Sequence, residues 1–282
     1  MDWKEGGSTG DLIPPRWRLQ HADDRRFHHI LALRANPDGK VWCRRQCSSP
    51  GLQFVLLCYS EETWQLTFFL IALIPQAHFP VPLRQTVAAI NHLLQAGIKP
   101  SSIIVTGDSA GGNLALQLLL HMKTPIKDLP QIAPETKFGG VYLMSPWCDI
   151  LLRRPTRSNV ENVRWDIISS ENLRVFGQLV SDGIKEEAHL PYVDAHFAPD
   201  GWYDGFEEVA ETMLISAGEL ECLRDDILLF SEKVCKTHPR AQVVLDKNGI
   251  HDDPFFNFLA GEKNLGTLTP KIVDWCLKCF ST

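Results

Sequence analysis

The chain has 282 residues, of which 44% are apolar and 22% charged. This balance is close to the globular average and excludes disorder or low complexity as a description of the whole chain. Lys and Arg number 28 against 34 Asp and Glu, which gives a net charge of −6 without any basic block. A nucleic acid or an anionic membrane surface is therefore not expected as a partner.

The N-terminal residues and the cysteines indicate the cellular compartment in which the protein is expected. The first residues, MDWKEGGSTG, include early acidic side chains and no apolar core of a secretory signal. The longest apolar run, Trp64–Pro75, has 12 residues, too few for a membrane span of about 20. We therefore expect a cytoplasmic protein whose 8 cysteines are reduced. Cys276 and Cys279 lie in an amphipathic stretch, where packing is expected rather than metal binding.

Apolar periodicity predicts alternating strands and helices along the chain. The clearest helix has apolar residues at i, i+4, i+7 and i+11 from Leu83, and Gly97 and Pro100 follow it as stop signals. The predicted strands are at 27–33, 68–74, 102–106, 141–144, 212–216 and 242–245, and the predicted helices at 52–58, 83–94, 110–122, 226–237 and 268–280. This alternation predicts an α/β fold with a mainly parallel sheet covered by helices on both faces.

The stretch from Gly107 to Gly111 reads Gly-Asp-Ser-Ala-Gly between a predicted strand and a predicted helix. A serine on such a sharp turn is held in a strained backbone conformation and projects from the carboxyl edge of the sheet. The small residues Gly107, Gly111 and Gly112 leave room for the turn. Ser109 is therefore the candidate nucleophile, and the N–H of Ala110, at the helix N-terminus, is a candidate oxyanion donor.

A serine nucleophile needs a base and an orienting carboxylate, which follow it along the chain in this type of arrangement. His251 lies in a short loop after the last predicted strand, so it is the candidate base. The loop after the preceding strand contains four carboxylates. Asp225 and Asp226 are interpreted as caps of the next helix. Glu219 and Glu221 remain as candidates for the acid, and spacing does not choose between them.

Five stretches combine the features described above. They are residues 79–85 (FPVPLRQ), 107–113 (GDSAGGN), 145–147 (SPW), 218–225 (GELECLRD) and 249–251 (GIH). Together they resemble the α/β-hydrolase-fold esterases of the hormone-sensitive-lipase type, especially fungal members, with a match over about residues 52–260. The resemblance implies one α/β-hydrolase domain over residues 1–282, with a small helical cap from residues 1–25 and about 150–205.

The resemblance also implies roles for individual residues. The acid loop of the family reads Asp-Pro-Leu-x-Asp, with the first acid catalytic. Residues 221–225 (ECLRD) match it, which favours Glu221 over Glu219 and Asp225. With Ser109 and His251, this implies carboxylic-ester hydrolysis through an acyl-enzyme, without a cofactor or a metal. The implied substrate is a small, fairly apolar ester, such as an acetyl ester or lactone of a fungal secondary metabolite.

The chain departs from the family at the second part of the oxyanion hole. The family has a His-Gly-Gly-Gly stretch there, whereas residues 37–46 of this chain, where spacing places the loop, contain a single glycine, Gly39. Losing one oxyanion donor costs about 10²–10³-fold in turnover. Three interpretations are open: a loop rebuilt around Asp38 and Gly39, a catalytically impaired relative that binds a small apolar ligand, or an error in the deduced sequence over about residues 25–50.

Overall fold

The computed structural model of the chain describes residues 30–34, 53–60, 63–70, 74, 77–153 and 155–280. Its strands are β1 (Ile30–Arg34), β2 (Gln53–Ser60), β3 (Thr63–Leu70), β4 (Ile103–Asp108), β5 (Gly140–Met144), β6 (Met213–Gly218) and β7 (Ala241–Asp246). Its α-helices are α1 (Val81–Gln95), α2 (Ala110–Lys123), α3 (Ser158–Glu161), α4 (Ser170–Asp182), α5 (Leu190–Val193), α6 (Phe206–Val209), α7 (Arg224–Thr237), α8 (Asp253–Ala260) and α9 (Leu268–Cys279).

Within the described residues, 7 strands form one sheet in the order β1-β3-β2-β4-β5-β6-β7. Strands β4 to β7 pair in parallel, and each is joined to the next by a segment that contains helices. The predicted α/β fold with a parallel sheet is confirmed in this half. Its four carboxyl ends lie at one edge of the sheet, where the candidate site is expected.

The first three strands pair antiparallel, with β2 between β3 and β4. Two residues separate β2 from β3, and a parallel pair needs a crossover of a dozen or more, so only an antiparallel hairpin fits. The predicted helix at 52–58 is wrong, because Gln53–Ser60 is strand β2. The periodicity of a short apolar run does not distinguish a buried strand from a helix. Here the pairing of β2 with a strand on each side makes the segment a strand.

Alternate residues of the parallel strands face two separate apolar layers. Ile103 and Val105 of β4 point into the larger cluster, with α1 and α2, whereas Ile104 packs on the opposite face with Trp275 and Cys279 of α9. Cys276 is partly buried against the same smaller cluster. Helices therefore cover both faces of the parallel strands as predicted, and the two C-terminal cysteines pack in the apolar layer as expected.

The chain between β5 and β6 consists of short helices, of which α4 is the longest. It touches the nucleophile helix through Asn113 of α2, whose side-chain amide donates to the carbonyls of Trp147 at 2.8 Å and Val193 at 2.7 Å. The other part of the predicted cap, residues 1–25, lies outside the described residues. No helix in the part of the chain that the structure describes is long and apolar enough to cross a membrane.

The N-cap residue of α7 differs from the residues predicted to cap this helix. The helix begins at Arg224 and its N-cap is Leu223, so the interpretation of Asp225 and Asp226 as caps is wrong. Both lie inside the first turn, where a carboxylate is favoured by the helix dipole. They also bind a neighbouring segment, because Asp225 accepts a hydrogen bond from the Ser158 N–H at 2.9 Å and Asp226 accepts one from the Asn159 amide at 3.0 Å.

Candidate active site

Ser109 connects β4 to α2 in a backbone conformation that non-glycine residues rarely adopt, with φ 51° and ψ −116°. Three backbone hydrogen bonds hold it there. Its N–H donates to the Met144 carbonyl at 2.9 Å, and its carbonyl accepts from Trp147 at 2.9 Å and from Asn113 at 3.1 Å. The structure therefore places the candidate nucleophile on the predicted sharp turn, fixed to the end of the adjacent strand β5.

Glycines permit the close approach of α2 to the sheet at this turn. A Cβ at Gly107 would lie 2.3 Å from the backbone of Gly111. A Cβ at Gly112 would lie 2.9 Å from the side chain of Pro146. Both positions exclude any larger residue without a shift of backbone, which explains the glycines on either side of Ser109.

Ala110 is the first residue of α2, and its N–H has no acceptor one turn earlier in the helix. No hydrogen bond from this N–H to another described residue is present. The dipole of the helix adds partial positive charge at this end. Ala110 is therefore placed, as predicted, where it can donate to a negative oxygen beside Ser109.

Among the candidate carboxylates, the structure brings Glu221 to His251. The imidazole Nδ1 of His251 lies 2.9 Å from Glu221 Oε1, and the exposed fractions of the two side chains are 5% and 0%. Glu219 instead accepts a hydrogen bond from the Asn248 N–H at 2.9 Å in an exposed position. Asp225 pairs with Arg224 at 2.8 Å. Glu221 is thus the candidate carboxylate that is hydrogen-bonded to the imidazole.

The second oxygen of Glu221 is held on the other side. Glu221 Oε2 accepts from the Gly218 N–H at 2.7 Å and from the Ser145 hydroxyl at 3.0 Å. Hydrogen bonds to the ionised form compensate a carboxylate for its loss of water. Glu221 is therefore anchored by three donors, with His251 as the third.

Ser109, Ser145, Glu221 and His251 all follow carboxyl ends of the parallel strands β4 to β7, so they share one edge of the sheet. The imidazole Nε2 lies 3.3 Å from Asp252 Oδ2. The Ser109 side chain makes no capping hydrogen bond to the start of α2. In this arrangement the Nε2 side of the imidazole pairs with Asp252, which has φ 55°.

Carboxylates dominate the electrostatics around His251. Burial lowers the pKa of the imidazole, but the hydrogen bond that it donates to Glu221 and the charges of Asp252, Glu221 and Asp166 outweigh burial and raise the pKa to about 9. Burial raises the pKa of Asp252 to about 7, against the opposing effect of His251. Burial also raises the pKa of Asp108, which His251 likewise opposes. The carboxylates around His251 therefore favour the protonated form of the imidazole.

Sequence patterns did not assign a role to two residues that contact the candidate site. Ser145, with φ 44°, donates to Glu221 and accepts from the Asp252 N–H at 3.3 Å, so it joins the acid and base loops. The position of Ser145 directly after β5 is the sequence feature that could have indicated a place in the site. Asp166 accepts hydrogen bonds from the N–H groups of His251 and Cys222. It lies in a charged stretch without clear periodicity, which offered no signal.

The site contains no metal-binding cluster in the described ranges, since no group of three His, Cys, Asp or Glu residues there is arranged to hold an ion. Five cysteines are free thiols, namely Cys148, Cys222, Cys235, Cys276 and Cys279. Burial raises the pKa of the Cys222 thiol, next to Glu221, to about 12. The chemistry available at this edge is therefore that of a serine, an imidazole and several carboxylates.

Comparisons with known proteins agree with this arrangement. A sequence model of the alpha/beta hydrolase fold family matches residues 72–256. The protein mug81 of Schizosaccharomyces pombe, which carries the name steryl acetyl hydrolase, is 28% identical over 177 residues, 61% of this chain and 45% of that protein. An esterase of Acinetobacter venetianus is 32% identical over 163 residues, 57% of this chain and 48% of that protein. The chain thus spans about half the length of the curated relatives it matches.

A solved structure shares the fold. The crystal structure of a hormone-sensitive lipase from a metagenome library superposes with a TM-score of 0.60 at 24% sequence identity. The superposition covers 78% of this chain and 68% of that chain. At this identity the likeness concerns the fold.

Proposed function

The chain belongs to the α/β-hydrolase fold family, and on that premise we propose that it hydrolyses carboxylic esters with Ser109 as nucleophile, His251 as base and Glu221 as orienting acid. One observation carries the proposal. A serine in a strained turn lies at the same sheet edge as a buried imidazole whose Nδ1 is hydrogen-bonded to a buried carboxylate. These are the three roles that acyl transfer through a serine requires.

In the proposed reaction, the Ser109 hydroxyl gives its proton to His251 Nε2 as its oxygen attacks the ester carbonyl. The carbonyl oxygen becomes negative and accepts a hydrogen bond from the Ala110 N–H. His251 then returns the proton to the leaving alcohol, and an acyl-Ser109 intermediate remains. Water attacks this intermediate by the same route and releases the acid, so that the enzyme is restored.

Glu221 keeps its negative charge throughout this cycle. Its hydrogen bonds from Gly218 and Ser145 stabilise the carboxylate, which in turn stabilises the imidazolium that forms during attack. Because His251 has a pKa of about 9, a growing fraction of the imidazole is neutral as the pH rises towards that value. The proposal therefore includes an alkaline rise in activity.

The proposed substrate is an acetyl ester of a small, fairly apolar alcohol. The name of the S. pombe relative, steryl acetyl hydrolase, supports the acetyl group. Residues 150–205 are proposed to cover the acyl site as a cap, since their 158–166 part contacts the loops of Glu221 and His251. A lactone of a secondary metabolite is the other substrate to include in a panel.

A second function follows from the absence of a His-Gly-Gly-Gly stretch. The loop expected to complete the oxyanion hole, residues 37–46, lies outside the described residues. In the described part of the chain, Ala110 is the oxyanion donor that we identify. The alternative function is therefore that of a catalytically impaired protein that binds a small apolar ligand. It predicts saturable ligand binding without turnover.

Hydrolysis of p-nitrophenyl acetate separates the two functions. The wild-type protein should hydrolyse it faster than Ser109→Ala, and the control Ser101→Ala, a serine at the opposite end of β4, should behave as wild type. If the wild type is no faster than Ser109→Ala, the esterase proposal is wrong. Saturable binding of an ester analogue by an inactive wild type would then support the alternative.

A further inference from the structure

The carboxylate of Asp166 binds the backbone of the acid loop and of the base loop at once. Its Oδ1 accepts from the His251 N–H at 3.0 Å, and its Oδ2 accepts from the Cys222 N–H at 2.6 Å. Oδ1 also accepts from the Ile167 N–H at 2.8 Å. Cys222 directly follows Glu221, so one planar group fixes the backbone on both sides of the Glu221–His251 hydrogen bond.

Neighbouring residues of the same segment bind the acid loop from its carbonyl side. The Asn162 amide donates to the Glu221 carbonyl at 2.9 Å. The Ser158 hydroxyl and the Asn159 amide each donate to the Cys222 carbonyl at 2.8 Å. Of the described residues in the segment 158–166, Asp166 is the one whose hydrogen bonds also reach His251.

The exposure of this stretch indicates that the carboxylate is directed inward. Trp165 and Ile167 on either side are 53% and 48% exposed, whereas Asp166 is only partly exposed. The two exposed apolar side chains contribute little packing, although Ile168 next to them is partly buried against the core. The attachment of this stretch to the site therefore depends on the hydrogen bonds of Asp166 and its neighbours.

From this geometry we propose that Asp166 is a positioning residue that sets the relative placement of Glu221 and His251 and couples the 158–166 segment to the site. The proposal rests on the proposed function for its kinetic consequence, but not for its structural one. A carboxylate can accept from all three N–H groups. The side chain of an asparagine presents one acceptor oxygen and one NH₂ donor group. In Asp166→Asn, the backbone N–H of at least one of the two loops would therefore face a donor instead of an acceptor.

The charge of Asp166 gives a signature that a purely structural role would not. Glu221, Asp252, Asp108 and Asp166 face or approach His251 with negative charge, and each contributes to holding its proton. Removing one of these charges lowers the pKa of the imidazole. Asp166→Asn should therefore lower kcat and also move the alkaline rise of kcat/KM to lower pH.

The kinetic test compares Asp166→Asn with Glu161→Gln, an exposed acid of the same segment that pairs with Arg157. We expect Asp166→Asn to lower kcat by about 10-fold or more, because small misplacements of reacting groups are costly, with KM essentially unchanged. Glu161→Gln should match the wild type. A wild-type kcat and pH profile in Asp166→Asn would overturn the proposal.

Two measurements do not depend on activity. In the wild-type protein, the backbone amide protons of Cys222 and His251 should exchange slowly with solvent, although both residues lie in loops. Exchange of either proton at the rate of an unprotected loop would overturn the proposal. This measurement needs no variant, so it holds even if none folds. The low-field proton resonance of His251 Nδ1, assigned by its loss in His251→Gln, should broaden or shift in Asp166→Asn. If the wild type does not hydrolyse esters, the proposed function fails, while these two readouts still decide the role of Asp166.

Discussion

Glu221 Oε1 lies 2.9 Å from His251 Nδ1, and both side chains are almost fully excluded from solvent. Since a carboxylate can only accept a hydrogen bond, this contact fixes a proton on Nδ1. Nε2, which lies 3.3 Å from Asp252 Oδ2, is then the nitrogen that exchanges a proton with Ser109 in the proposed reaction.

Glu221→Gln should lower kcat by about 10³–10⁴-fold, because an amide favours the wrong tautomer of the imidazole. Glu219→Gln is the matched control, since Glu219 binds the Asn248 N–H in an exposed position. Steady-state kinetics with p-nitrophenyl acetate would measure both. An equal loss in the two variants, or a larger loss in Glu219→Gln, would contradict the assignment of the acid.

Asp252→Asn should move the alkaline rise of activity to lower pH. Asp252 lies 3.3 Å from His251 Nε2, and its negative charge helps to raise the pKa of the imidazole to about 9. Without that charge the imidazole becomes neutral at lower pH. The pH dependence of kcat/KM would show the shift.

The control for this shift is Asp253→Asn, whose carboxylate accepts from the Asn257 amide within α8 at 2.7 Å. Its pH profile should match the wild type. An unchanged profile in Asp252→Asn would contradict the electrostatic role given to that residue.

Stability should fall as the pH rises from about 4 to about 7. Burial raises the pKa of Asp226 and of Asp252 from 3.8 to about 7. A group whose pKa is higher in the folded state contributes stability below its unfolded pKa and loses it as the pH rises through the folded value. The free energy of unfolding should therefore decrease between about pH 4 and 7.

Urea unfolding of Asp226→Asn would check this pH dependence. The variant should show a smaller decrease over that pH range than the wild type, because it lacks one of the buried carboxyls whose pKa is raised. Asp274→Asn, an exposed aspartate of α9 with 67% exposure, is the control and should follow the wild type. A decrease of the same size in Asp226→Asn would be the opposing result.

The sequence predicted the parallel half of the fold because each of its elements carries a strong local signal. Strand β4 is a short β-branched run, and α2 is rich in leucine and follows a glycine-bounded turn. Strand β2 was mistaken for a helix, since its pairing partners on both sides are not visible in a short apolar run. The signals for β4 are local, whereas β2 is defined as a strand by its pairing with β3 and β4.

The same division holds in the candidate site. Ser109 and His251 follow strand ends, and strand order alone brings such positions to one edge. The choice of Glu221 depended on a resemblance, because four acids in one loop have similar spacing to the histidine. Asp166 could not be predicted, since its partners are backbone N–H groups 56 and 85 residues away and no side-chain pattern encodes such contacts.

The central claim is that Ser109 forms a covalent acyl intermediate, and peptide mass mapping tests it directly. Protein quenched during turnover of p-nitrophenyl acetate should carry one additional acetyl group on the peptide that contains Ser109. The acetyl group should be absent from that peptide in Ser109→Ala and present in Ser101→Ala. Turnover by the wild type with no acetyl group on Ser109, or equal turnover by Ser109→Ala, would contradict the account.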